Sequence, residues 1–227
     1  MPTFAVPNNR RVAYYPLMGE NAPLSSDDSE CLLQKAAAGD QDAWGRLLSR
    51  HRQRLHSMVS LRLDPRLAGR IDPSDVLQEA FLAATLQLKD FAAQRNMPVF
   101  LWLRLVAGQK LAGLHRHHLG KKMRDAGREV SLYKGALPQA SSAALAARLM
   151  GNDTAPSEAA RKAELVLRLE TALNTMDPLD REVLVLRHFE ELSNGEAAQV
   201  LDIQQPAASK RYIRALQRLK DILRSMP

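Results

Sequence analysis

Six cations, Lys210, Arg211, Arg214, Arg218, Lys220 and Arg224, stand against the single carboxylate of Asp221 between Gln204 and Arg224. The preceding stretch has the opposite sign. Asp177 to Asp202 carries seven carboxylates (Asp177, Asp180, Glu182, Glu190, Glu191, Glu196 and Asp202) against Arg181 and Arg187. The switch falls at Leu201-Asp202-Ile203, where a short amphipathic segment gives way to a longer one. In the longer segment Ala208, Tyr212, Ala215, Leu216, Leu219, Ile222 and Leu223 recur at helical spacing and form a buried stripe. That leaves Gln204, Gln205, Ser209 and Lys210 near the helix start as candidate base readers. Arg211, Arg214 and Arg218 are candidate phosphate clamps. A cationic second helix propped on a first that is not cationic is the layout of a major-groove reader. Taken alone, such a face is also what an ordinary solvated helix presents. The capping box Ser193-Asn194-Gly195-Glu196, which opens the preceding short helix, favours DNA binding.

A second constellation lies at Asp75, Gln78 and Glu79. Spaced i, i+3 and i+4, they share one helix face opposite Val76, Leu77 and Ala80. An acidic, hydrogen-bonding patch on a rigid helix repels nucleic acid and suits a basic protein partner. On the residues alone the preferred reading is a solvated helix start favoured by the macrodipole. Enzyme chemistry finds little footing. His115, His117 and His118 cluster beside Arg116, but histidines at i and i+2 diverge on a helix and no cysteine or carboxylate has ligand spacing nearby. There is no glycine-rich phosphate loop and no G-x-S-x-G elbow. The chain is therefore expected not to be an enzyme, and no cofactor and no metal are expected.

Composition agrees. The 227 residues carry a formal charge of +7, and a basic surplus suits a polyanionic partner. One cysteine, Cys31, excludes an internal disulfide and fits a reducing compartment. No apolar run approaches the roughly 18 residues needed to cross a bilayer, and the first residues lack the apolar core of a secretory signal. A cytoplasmic location is expected.

The elements that must position these side chains are all helical. Residues 1–24, with Pro2, Pro7, Pro16 and Pro23 and no sustained period, read as a flexible extension. Residues 25–124 read as a first helical domain. In it Leu32, Leu33 and Ala36 make one stripe that stops at Gly39. Asp40 caps a second helix that runs to Pro65, with Arg46, Arg50, Arg52, Arg54 and Arg62 on its outer face. Asp72-Pro73-Ser74-Asp75 starts a third helix that reaches about Leu88. Phe91 to Pro98 reads as a loop. Val99 to about His118 forms a fourth helix, where Trp102 sits at core spacing with Leu103 and Val106. Residues 125–155 read as a linker in which Ala143 to Met150 can form a helical turn or two. Residues 156–227 read as a second domain ending in the helix-turn-helix. The expected fold is all-α, two small helical domains joined by a flexible linker.

Two of these segments together resemble one family. Asp75-Val76-Leu77-Gln78-Glu79-Ala80-Phe81 is similar to the D-x-x-Q-E-x-F signature of bacterial RNA polymerase sigma factors. The run from Arg181-Glu182-Val183-Leu184 through Leu219 resembles their promoter-binding fourth region. With only these two regions and a short linker, the chain resembles the compact extracytoplasmic-function type. The resemblance implies that Asp75, Gln78, Glu79 and Leu82 bind core RNA polymerase. It implies that Gln204, Gln205, Ser209, Lys210, Arg211, Arg214 and Arg218 bind the minus-thirty-five element of promoter DNA. It implies that Phe91, Asn96 and Phe100 shape a pocket for unstacked minus-ten bases, while Gln109, Lys110, Arg116, His117, His118, Lys121 and Lys122 hold the strands. An anti-sigma factor or other regulatory protein is a further implied partner. The recognition helix departs from the family's usual opening, reading Gln204-Gln205-Pro206-Ala207-Ala208-Ser209-Lys210-Arg211. Gly108-Gln109 stands where Arg-Asn is common. Base preference in both promoter elements is therefore not set by the resemblance. A helix-turn-helix regulator that never joins polymerase is the alternative, and it leaves the Asp75 face without a task.

Overall fold

The computed structural model describes residues 26–67, 69–119, 138–151 and 159–225. The expected extension at 1–24, most of the expected linker, and Lys121 and Lys122 lie outside the described residues. Within these, the chain forms α-helices and no strand.

The first lobe holds α1 (Ser26–Ala37), α2 (Gln41–Arg62), α3 (Pro73–Gln94) and α4 (Val99–Leu119). Aspartates start two of them. Asp40 accepts a hydrogen bond from the Ala43 N–H at 2.9 Å, and Asp72 accepts one from the Ser74 N–H at 2.7 Å with Pro73 as first helical residue. Leu47, Leu55 and Met58 of α2, Val76, Leu77, Ala80 and Ala84 of α3, and Leu103 and Leu111 of α4 fill the core. Each fully buried leucine there contributes about 2 kcal/mol. Helix α3 runs past the expected stop near Leu88. Phe91 follows Leu88 by one helical turn on the same buried stripe and stacks on Trp102 at 4.1 Å with ring planes 3° apart. This contact draws the helix on to Gln94, and the connection to α4 shrinks to Arg95–Pro98.

The second lobe holds α5 (Ser142–Leu149), α6 (Ala159–Asn174), α7 (Pro178–Leu184), α8 (Asn194–Leu201) and α9 (Gln205–Ser225). Helix α5, inside the expected linker, packs Leu145 and Ala146 against Leu169 and Leu173 of α6. The capping box forms as expected: the Glu196 N–H donates to Ser193 Oγ at 3.2 Å and the Ser193 N–H donates to the Glu196 carboxylate at 2.7 Å. Asp180 ties α7 to α9. It accepts from Arg214 Nε and Nη2, both at 2.6 Å, and from Arg211 Nη1 at 3.0 Å.

The two lobes also pack on each other, which periodicity does not reveal. Val183, Leu186, Leu192, Ala197 and Leu201 of the second lobe are buried in the first lobe's core cluster, and Leu61 of α2 is buried in the second. The backbone is shaped for this. After α7 the chain makes a π-helical turn over Val185–Phe189, in which the Glu190 N–H donates to the Val185 carbonyl at 3.0 Å. Glu191 then takes a left-handed conformation at φ 55°, uncommon for a side chain of its kind. The wide turn and the reversal after it aim Glu190 inward at α2 and α4.

Two stability changes follow from these anchors. Ser193→Ala removes the cap of α8 and lowers unfolding stability by about 1 kcal/mol in a urea titration. Asp180→Asn lowers the thermal midpoint by roughly 3 °C at pH 7. Burial would raise the Asp180 carboxyl, but its hydrogen bonds and charge contacts with Arg214 and Arg211 outweigh this and hold it below its ordinary value. A depressed carboxylate stabilises the fold above the unfolded pKa and stops doing so as pH falls through the lowered one. The gap between wild type and the Asp180→Asn variant therefore closes below about pH 4. A gap of equal size at pH 7 and at about pH 3 contradicts it.

Candidate nucleic-acid and partner surfaces

Helices α8 and α9 meet across a tight turn. Asp202 caps α8 in the left-handed region at φ 53°, a conformation aspartate tolerates, and α9 begins at Gln205. Asn194 at the start of α8 fixes the angle: its Nδ2 donates to the Gln205 carbonyl at 3.1 Å and to Ser209 Oγ at 2.8 Å. Ser209 is half-buried and faces α8, so the structure uses it to hold the two helices together and not as the outward base reader expected. Position 209 lies one helical step inside the solvent face, where a short hydroxyl reaches Asn194. Gln204, Gln205, Lys210, Arg214 and Arg218 are exposed. Arg211 is half-buried against Asp180, with Asp177 3.7 Å away. Its guanidinium is committed inside the lobe, whereas Arg214 pairs with Asp180 and remains exposed. Lys210, Ile213, Arg214, Gln217, Arg218 and Asp221 line a shallow open groove along α9. Ile213, 67% exposed, is an apolar group on this otherwise polar face. The face offers amide and ammonium donors near the helix start and guanidinium groups beyond it.

The acidic face of α3 stands as expected. Asp75, Gln78 and Glu79 are exposed along one side of the helix, and Leu82 continues that side at 69% exposure. Leu86, 86% exposed, extends the row by one more turn. Its sequence signal is the i+4 spacing from Leu82, which leucine's usual place in a core conceals.

The loop and α4 depart further from expectation. Phe91 is a core residue under Trp102 and does not shape an open pocket. Phe100 is also buried. The Arg54 guanidinium covers its ring at 3.6 Å and the His51 ring lies 5.6 Å away. His51 is pushed down to about 4 by burial, then by the charges of Arg54 and Arg50, so it is neutral at pH 7. Asn96, Gln109, Arg116, His117 and His118 are exposed and Lys110 is half-buried. His115 is buried, accepting from the Asp64 N–H at 3.2 Å, and turns away from His117 and His118. Among the described residues no group of three or more histidine, cysteine or acidic side chains is placed to hold a metal ion, and no helix is long and apolar enough to cross a membrane.

Charged residues that the sequence reading does not single out lie between the lobes. Glu190 is 0% exposed. It accepts from Arg62 Nη2 at 2.5 Å and Nε at 3.0 Å, and from Arg104 Nε at 2.5 Å. Arg62 also pairs with Glu182. Burial alone would raise the Glu190 carboxyl; Arg104 and Arg62 hold it down at about 2. Burial likewise works against the Arg62 charge, but Glu182 and Glu190 more than compensate and raise its pKa. Periodicity assigns Arg62 to an outer basic face, because nothing in α2's own pattern discloses that a second lobe covers it.

Comparison with known proteins places this arrangement. Residues 167–219 match the family described as Sigma-70, region 4. The chain is 29% identical over 199 residues to the RNA polymerase sigma factor CnrH of Cupriavidus metallidurans, covering 87% of this chain and 95% of that protein. It is 28% identical over 196 residues to the RNA polymerase sigma factor NccH of Alcaligenes xylosoxydans xylosoxydans, covering 86% and 95%. It is 29% identical over 198 residues to the ECF RNA polymerase sigma factor SigD of Mycobacterium tuberculosis, covering 87% and 85%. The solved structure of CnrH in complex with the cytosolic domain of CnrY aligns with 88% of this chain and 100% of that one, with a TM-score of 0.53 at 26% identity. Over most of its length the chain is thus similar to RNA polymerase sigma factors, SigD among them an ECF sigma factor, and its residues 167–219 match the region 4 family.

Proposed function

We propose that this protein binds core RNA polymerase and directs it to the promoters of a specific regulon, where it also starts strand separation. The observation that carries the reading is the pairing of two unlike surfaces on one chain. One is the acidic row Asp75, Gln78, Glu79 and Leu82 on α3, which suits a basic protein. The other is the cationic outer face of α9 on a capped helix-turn-helix, which suits a duplex. On this reading Gln204, Gln205 and Lys210 meet base edges of the minus-thirty-five element, and Arg214 and Arg218 meet phosphate. Ser209 and Arg211 position α9 from behind. For the minus-ten element the exposed groups are Asn96, Gln109, Arg116 and His117, with Lys110 beside them. Lys121 and Lys122 lie outside the described residues and keep their sequence-based role. The domain limits of 25–124 and 156–227 belong to the same proposal, with α5 added to the second unit. A regulatory protein such as an anti-sigma factor is a proposed partner, by analogy with CnrH, which has been solved with the cytosolic domain of CnrY.

The direct test is reconstitution: the purified chain associates with core RNA polymerase and yields promoter-specific transcripts. A chain that shifts promoter DNA unaided and never joins core polymerase is an ordinary helix-turn-helix regulator and overturns the reading. Asp75→Ala with Glu79→Ala weakens polymerase binding at least tenfold, an energy of about 1.4 kcal/mol, and leaves DNA contact by α9 intact. Unchanged polymerase affinity removes the role of that face. Lys210→Ala lowers affinity for the chosen promoter and shifts sequence preference in a binding selection, each lost base contact costing about 1–3 kcal/mol. Equal weakening on all sequences makes Lys210 a phosphate contact instead.

A further inference from the structure

One side chain on the outer face of α9 has no polar group with which to meet a base or a phosphate. Ile213 is 67% exposed, and the other residues lining the same shallow groove are Lys210, Arg214, Gln217, Arg218 and Asp221. Single exposed apolar residues are common on protein surfaces and by themselves carry no meaning. The position of this one is what counts. At about 100° per residue, Ile213 lies roughly 160° round the helix from Ala215 and about 180° from Ile222, both buried in the second lobe's core. It therefore projects away from the body of the protein. Its branched side chain is also stiff in a helix, so the surface it offers is fixed before any partner arrives.

The polar neighbours of Ile213 are drawn to other tasks. Arg214 reaches Asp180 through Nε and Nη2, both at 2.6 Å, which pulls its guanidinium to the side of the helix. Gln217 Nε2 donates to Asp221 Oδ1 at 3.1 Å and so leans toward the C-terminal end. Asp221 stands about 12 Å further along the axis than Ile213 and repels phosphate. The deepest part of a contact with a polyanion therefore falls on the N-terminal side of Asp221, where Lys210 and Ile213 stand one turn apart, both exposed.

The inference rests on the proposed function. In a helix seated in the major groove, the outermost strip faces the base edges and the flanks face the phosphates. Ile213 can neither donate nor accept there. Set against the polar edge of guanine, adenine or cytosine, it leaves base donors and acceptors desolvated and unpaired, which is costly. The apolar group on the floor of the major groove is the C5 methyl of thymine. We propose that Ile213 is a specificity-determining residue of the minus-thirty-five contact, selecting a thymine by packing on its C5 methyl. Lys210 supplies the polar contact beside it, and Arg214 and Arg218 hold the backbone on the flank.

The test uses holoenzyme reconstituted from the full chain and core RNA polymerase, with duplexes recovered from a random library by binding selection. In the recovered minus-thirty-five element each thymine is replaced singly by deoxyuridine, which deletes the methyl and leaves every hydrogen-bonding group in place. Wild-type holoenzyme is expected to lose affinity about three- to fivefold at one thymine, the factor that one methyl's apolar contact supplies. This arm needs no variant and so no assumption about folding. Ile213→Ala is expected to weaken binding to the thymine duplex by a similar factor and to bind the thymine and deoxyuridine duplexes equally well. Ile213→Val, still branched and apolar, is expected to keep the thymine preference. A wild type indifferent to every methyl overturns the proposal. So does an Ile213→Ala variant that still distinguishes thymine from deoxyuridine at the sensitive position, and so does a recovered element with no thymine on either strand. If the holoenzyme does not form or selects no duplex, the proposed function fails and this inference with it. If selection succeeds and the methyl makes no difference, this inference alone fails.

Discussion

A carboxylate with no exposed surface, set between two guanidinium groups that belong to another lobe, governs this protein more than any other contact. Glu190 cannot be buried as a bare charge, since desolvation of an unpaired carboxylate costs several kcal/mol. Arg62 and Arg104 have the same difficulty on their side. Each is tolerable only in the presence of the others, so the relative position of the lobes is written into their pairing. The π-helical turn over Val185–Phe189 and the left-handed Glu191 are the backbone adjustments that deliver Glu190 there. The apolar contacts of Leu186, Leu192 and Leu201 with the first lobe's core surround the pairing and keep water from it.

The reversal of charge along the last third of the chain takes its meaning from where the acids point. Asp180 faces α9 and neutralises the inner ends of Arg211 and Arg214. Glu182 and Glu190 face the first lobe. Glu196 closes the cap of α8. With these carboxylates turned inward or used locally, the cations left on the outer side of α9, chiefly Lys210, Arg214 and Arg218, face solvent with Asp221 as their one acidic neighbour in the groove. The same residues that stabilise the second lobe thus set the sign of the field it presents.

Much of this is legible in the sequence. Caps at Asp40, Asp72 and Ser193 are local signals, readable because a side chain and an N–H two or three residues away settle them. The acidic row on α3 and the cationic row on α9 follow from helical periodicity, which holds wherever one face is solvent. Whatever is decided between elements stays hidden. Phe91 reads as a loop residue because its partner, Trp102, lies on the next helix. Ser209 reads as outward because its partner, Asn194, sits on the preceding helix. Arg62 reads as solvated because Glu182 and Glu190 are far along the chain. Long-range pairing leaves no periodicity, and a buried arginine is spelled the same way as an exposed one.

If the acidic row of α3 takes the polymerase, backbone protection must change along that helix. Hydrogen–deuterium exchange of the intact chain, free and bound to core RNA polymerase, reads it directly. The expected result is slower exchange across 75–86 on binding. Exchange that is unaltered at 75–86 contradicts it.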